Sequence, residues 1–154
     1  MLTTGASVIG FELPDVHGKI TSLDEILSRG CVVLAFFKKS CPVCQLTLPF
    51  LERIHLESKT QVCGISQDDP GPTMNFAQTF HLTFPMLIDS RAEGYKVSNV
   101  FGITTVPSLF LVEKDHTISW SSESFSKKDL EALGHKLTFS IFRVGDRVPE
   151  FKPG

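Results

Sequence analysis

A chain of 154 residues, 42% hydrophobic and 21% charged, can bury a sizeable core without disulfide staples and is expected to form one domain over 1–154. Its net charge of -2 offers no basic field for nucleic acid, and no apolar run approaches the ~20 residues that span a bilayer. Four unevenly spaced cysteines (Cys31, Cys41, Cys44, Cys63) do not suit a disulfide scaffold; a close pair and two isolated residues suit a redox centre and two core thiols.

Met1-Leu2-Thr3-Thr4-Gly5 lacks the basic and apolar segments of a secretory signal, so a cytoplasmic protein is expected. Residues 9–13 and 18–20 read as short strands joined by the turn residues Pro14-Asp15 and His17-Gly18. Ser22 and Glu25 form a capping box for a short helix that Gly30 ends. The continuous apolar run 31–37 (CVVLAFF) is expected as a central strand covered on both faces. A helix follows from about Pro42 to Leu56, with Val43, Leu46, Phe50, Leu51 and Ile54 near helical spacing. Beyond it come a strand at 61–66, a loop at 68–72, a helix at 73–81, a strand at 86–88 and weak helix at 92–100. A strand opening at Pro107, a turn at 113–116, a strand at 117–121 and a helix opened by Ser126 complete the pattern. The alternation predicts an α/β sandwich with a mixed central sheet flanked by helices.

The chemistry concentrates where the first central strand meets the first long helix. Cys41 at a helix N-terminus faces unpaired backbone N–H groups and the positive end of the helix dipole. Both favour its thiolate, the nucleophile of disulfide exchange, and Lys38 and Lys39 add positive charge upstream. Cys44, one turn on, is placed to attack a mixed disulfide at Cys41 and release the partner. Pro42 takes the first helical position at no hydrogen-bond cost, leaving Val43 and Cys44 as amide donors to the sulfur.

The stretch Phe36-Phe37-Lys38-Lys39-Ser40-Cys41-Pro42-Val43-Cys44 resembles the thioredoxin active-site segment, and Pro49 lies where thioredoxins carry a helix-kinking proline. Thr105-Val106-Pro107 resembles the family's cis-proline loop. The resemblance implies that Pro107 is cis and that Val106 contacts substrate, with Phe37 as a further apolar rim of the partner groove. Additional sequence before the first central strand, including Gly10-Phe11-Glu12-Leu13-Pro14-Asp15, resembles the N-terminal hairpin of the redoxin branch. A central insertion points the same way. That branch holds the TlpA/ResA-like thiol-disulfide oxidoreductases and the AhpC/TSA peroxiredoxins. It implies a thioredoxin-like three-layer sandwich, protein thiols and disulfides as partners with a thioredoxin-type protein as candidate reductant, and no cofactor. Relatedness to TlpA/ResA-like proteins also raises an exported form as the alternative to a cytoplasmic one.

Residue by residue, exchange is favoured over peroxidase. Were Cys44 peroxidatic, the threonine or serine expected three residues earlier is Cys41, the motif's proline falls on Phe37, and the arginine falls near Pro107. A redox-silent binding module is the remaining alternative. One departure touches the exchange reading too: the buried acid of thioredoxins is replaced by Ala35, with Asp68 or Asp69 of the insertion as candidate substitutes. No second CxxC or HxxxH accompanies the pair, so no metal is expected. Cys31 and Cys63 read as inert core thiols, and His55 and His81 as ordinary helix residues. Residues 144–154 resemble a further redoxin N-terminal segment and read as a tail, with a redox residue beyond Gly154 as one way it would be extended.

Overall fold

A computed structural model describes residues 1–154. Strands β1 (Glu12–Pro14) and β2 (Ile20–Ser22) form the N-terminal hairpin, and α1 (Leu23–Leu27) follows, capped by Ser22, whose hydroxyl accepts the Glu25 amide at 3.0 Å. Then come β3 (Val32–Phe37), α2 (Pro42–Glu57), β4 (Gln61–Ser66), α3 (Pro70–Thr79) and β5 (Met86–Ile88). A short 3₁₀ turn (Arg91–Glu93) leads to α4 (Lys96–Phe101), β6 (Ser108–Val112) and β7 (Ile118–Glu123). The chain closes with β8 (Phe125–Ser126), α5 (Lys127–Leu137) and β9 (Phe151–Lys152).

The five-stranded sheet has the order β5-β4-β3-β6-β7, with β3, β4 and β5 parallel and β6 and β7 antiparallel. β3 is therefore paired on both edges, and all six of its residues are wholly buried. Its period of two sends side chains alternately to the two faces. Phe36 meets Phe101 of α4 at 4.9 Å and Phe110 of β6 at 5.7 Å between ring centroids. On the other face Phe37 meets Phe76 of α3 at 5.2 Å. Helices thus cover both sides, which makes the three layers.

Phe37 is consequently a core residue, not a groove rim. Gly64, opposite Ala35 on β4, leaves the space its ring fills: a Cβ there would lie 3.0 Å from Phe37 Cε1 and 3.2 Å from Phe84. Several boundaries also move. α3 begins at Pro70 rather than after Pro72, because prolines in a first helical turn give up no intrahelical bond. It ends at Thr79, so His81 lies outside it with a positive φ of 56°. The tail is not free: β9 pairs with β8, Phe125 facing Lys152 and Ser126 facing Phe151.

Phe37→Ala should cost about 3–5 kcal/mol in denaturant unfolding. Gly64→Ala, which crowds the same ring, should cost about 1–3 kcal/mol.

Candidate active site

The turn between β3 and α2 carries the dithiol. Cys41 is the N-cap of α2 in an extended conformation (φ -94°, ψ 108°), with Pro42 at the first helical position. Of the two expected amide donors, that of Cys44 reaches the Cys41 sulfur, at 3.1 Å. From the opposite side the Cys41 thiol donates to the Val106 carbonyl at 3.4 Å. The Val106–Pro107 peptide is cis, and Pro107 precedes β6, the strand beside β3. Two chain segments 65 residues apart therefore meet at one sulfur because β3 and β6 are sheet neighbours.

The two thiols are free and unequal. Cys41 is 6% exposed, open at the floor of a cleft, whereas Cys44 is wholly buried. Burial foremost, and then the neighbouring Cys41 thiol, push the Cys44 thiol well above the usual range. The Lys38 backbone and the Lys38 charge oppose that shift without cancelling it. Cys44 is thus a protonated reserve until Cys41 is engaged.

No carboxylate replaces the missing acid at Ala35, which is wholly buried. Asp68 is turned onto the Lys39 amide at 2.6 Å, bracing the loop before Cys41, and Asp69 makes no capping bond on α3. The buried acids are engaged elsewhere: Glu52 holds Thr83 and Phe84, and Asp89 holds Val97 and Ser98. No acidic side chain hydrogen-bonds to either cysteine of the pair. Pro49 lies inside α2, which runs on to Glu57.

A cleft of about 530 Å³ opens over Cys41. Lys38, Pro42, Val43 and Val106 line it, while Phe37 and Pro107 do not. Lys39 lies outside the lining and serves through its backbone, donating to Asp68 and accepting from Gln45 at 3.2 Å. Gln67, Thr105 and the C-terminal Lys152, Pro153 and Gly154 complete the wall. Apart from Thr105, which belongs to the cis-proline motif, these residues carry no local signal, since they reach Cys41 only through strand pairing and loop packing. Cys63 lies apart in β4, where burial pushes its thiol up to about 12. Cys31 is half-buried and its thiol is also raised, first by burial and then by Glu113. No group of three His, Cys, Asp or Glu side chains is placed to hold a metal ion.

A mixed sheet flanked by helices, with a dithiol at a helix N-terminus facing a cis-proline, defines the thioredoxin-like class of redox proteins. Within it, the chain belongs to the AhpC/TSA family, whose sequence profile matches residues 4–121. The thiol-disulfide oxidoreductase ResA of Halalkalibacterium halodurans is 29% identical over 114 residues, 71% of this chain. The matched region spans 62% of that relative's length. The peroxidoxin BcpB structure of Mycobacterium tuberculosis is 27% identical with a TM-score of 0.71, over 86% of this chain and 92% of that one. A structure described as a thiol:disulfide interchange protein DsbE of Chlorobium tepidum shares the fold, with a TM-score of 0.77 and 22% identity. That match covers 90% of this chain and 97% of the other.

The raised Cys44 thiol sets a pH dependence. A raised value keeps the thiol protonated at neutral pH, and burial persists once Cys41 is in a mixed disulfide. Release of a partner held on Cys41 should therefore speed up about tenfold per pH unit from roughly pH 6 to roughly pH 9, because exchange follows the thiolate fraction. Rapid-quench measurement of partner release across that range checks the slope.

Proposed function

We propose that this chain is a thiol-disulfide oxidoreductase that exchanges disulfides with protein partners through Cys41 and Cys44. The observation that carries this reading is the Cys41 sulfur itself. It lies at the base of an open cleft, with an amide donor on one side, a substrate-loop carbonyl on the other, and a second thiol one helical turn behind.

In the reducing direction the Cys41 thiolate attacks one sulfur of a partner disulfide. A Cys41–partner S–S bond forms, the partner's own S–S bond breaks, and the second partner sulfur leaves as a thiolate that takes a proton from water. Cys44 then loses its proton to solvent and attacks the Cys41 sulfur. The Cys41–partner S–S bond breaks, the partner sulfur that Cys41 had attacked leaves as a thiolate and takes a proton from water, and Cys41 and Cys44 remain joined. Two electrons have passed from the dithiol to the partner. An external dithiol, such as a thioredoxin-type protein, restores the starting state, and every step runs backwards when the partner is the stronger reductant. The direction follows the reduction potential of the pair against its partners.

The likeness to a peroxidoxin gives a second reading, peroxide reduction through a sulfenic acid on Cys44 or Cys41. The residues support it less well. The position three before Cys44 is a second thiol rather than a hydroxyl, and no arginine lines the cleft.

Cys44→Ser should accumulate mixed disulfides with thiol partners, released by dithiothreitol and absent from Cys41→Ser. The intact protein should accelerate insulin disulfide reduction by dithiothreitol. Absence of trapping together with thiol-dependent consumption of hydrogen peroxide would transfer the assignment to the peroxidase.

A further inference from the structure

The last fourteen residues run from the C-terminal half of α2 to the reactive end and are fastened at several points. Arg53 of α2 forks onto Asp146 at 2.7 and 3.0 Å and bonds the Ile141 carbonyl at 3.0 Å. That guanidinium, with the Arg143 amide, holds the Asp146 carboxyl down at about 2. Further on, the Lys127 amide donates to the Glu150 carbonyl at 2.9 Å, β9 pairs with β8, and the Gly154 amide donates to the Ser124 hydroxyl at 3.0 Å. At Gly154 the backbone runs so close to the cis-proline loop that a Cβ would overlap the Val106 carbonyl oxygen, which is the acceptor of the Cys41 thiol.

This strap brings Lys152 into the wall of a cleft that Lys38 also lines. Both lysines are exposed, and neither takes part in an ion pair. Lys38 and Lys152 are the only charged side chains that line the cleft; its polar side chains, among them Ser40, Gln67, Thr104 and Thr105, are otherwise neutral. Asp68 lies outside the lining and accepts the Lys39 amide at 2.6 Å, and Glu150, also outside it, faces Lys127 at 3.7 Å. The positive end of α2 adds to the same field. Charged side chains of one sign, on a chain of net charge -2, are a property of the cleft and not of the whole surface.

We propose that the cleft selects acidic peptide segments, so that a preferred partner carries Asp or Glu beside its reacting cysteine, with Lys152 and Lys38 as the specificity-determining residues. The proposal rests on the exchange reading above, and the electron and atom balance of the step is unchanged. Lys152 is the part that the dithiol motif does not contain: it enters only because β9 folds back on β8.

The test uses three synthetic peptides, each closed by one intramolecular disulfide and identical except for Glu, Ser or Lys beside the cysteines. The rate of reduction by the reduced full chain is measured for each and normalised to the rate with dithiothreitol. The Glu peptide should exceed the Ser peptide by about threefold to tenfold at low ionic strength and approach it at about 1 M salt. Lys152→Gln and Lys38→Gln should each lower the Glu:Ser ratio about twofold to fivefold, and Lys152→Glu should favour the Lys peptide. Lys114→Gln, in the turn at the opposite end of β6, should keep the ratio. Equal normalised rates for the three peptides, or a ratio that neither Lys152→Gln nor Lys38→Gln moves, overturns the charge selection while leaving exchange intact. If none of the peptides is reduced, the exchange reading falls and this proposal falls with it.

Discussion

The Cys41 sulfur sits 3.1 Å from the Cys44 amide and 3.4 Å from the Val106 carbonyl, and the reactive end depends on keeping both distances. The first is local: it follows from Cys41 being the N-cap of α2 with Pro42 behind it. The second is global, because it requires β3 and β6 to lie side by side in register, Phe36 facing Ser108. The fully buried β3 provides that register. A strand paired on both edges and covered on both faces cannot slip by one residue without sending Phe36 and Phe37 to the wrong layers. Core packing and reactive geometry are therefore a single constraint expressed at two ends of one strand.

The dithiol is asymmetric for the same reason. Position along α2 decides burial: the N-cap opens on the cleft, and one turn further in the chain is under the sheet. Cys44 is held protonated by desolvation first and by the neighbouring Cys41 second, and Ala35 puts no acid on the central strand. The chain's buried acids serve as structural clamps instead. Glu52 gathers the Thr83–Phe84 turn before β5, and Asp89 gathers the start of α4, on which Phe101 is carried to Phe36. Proton exchange at Cys44 then belongs to solvent, and it precedes release of the partner.

The partner-facing side is built from segments with little intrinsic structure. The cis-proline loop, the residues after β4 and the short β9 strap each contribute a few atoms, and each is positioned by what it packs against. Gly154 shows how tight that assembly is, since the strap and the Val106 carbonyl leave no room for a side chain. Charge in the cleft follows from this arrangement: Lys38 belongs to the motif, whereas Lys152 arrives from the far end of the chain.

Much of this molecule was legible in its residues. The buried run at 31–37, the capping boxes at Ser22 and Ser126, the dithiol before an amphipathic helix and the proline opening β6 are short-range signals, and local physics determines the elements they mark. Phe37 was misplaced because a run that is apolar on both faces does not say which layer each ring enters; Gly64 and Phe76 decide that across the sheet. β9 carries no signal in the residues because a two-residue strand has no periodicity, and it exists only through pairing with β8. The sequence by itself determined the nucleophile, its helix and the class of fold. Tertiary structure decided the depth of Cys44, the carbonyl over Cys41 and the wall carrying Lys152, because burial and contacts between distant segments arise only when the sheet assembles.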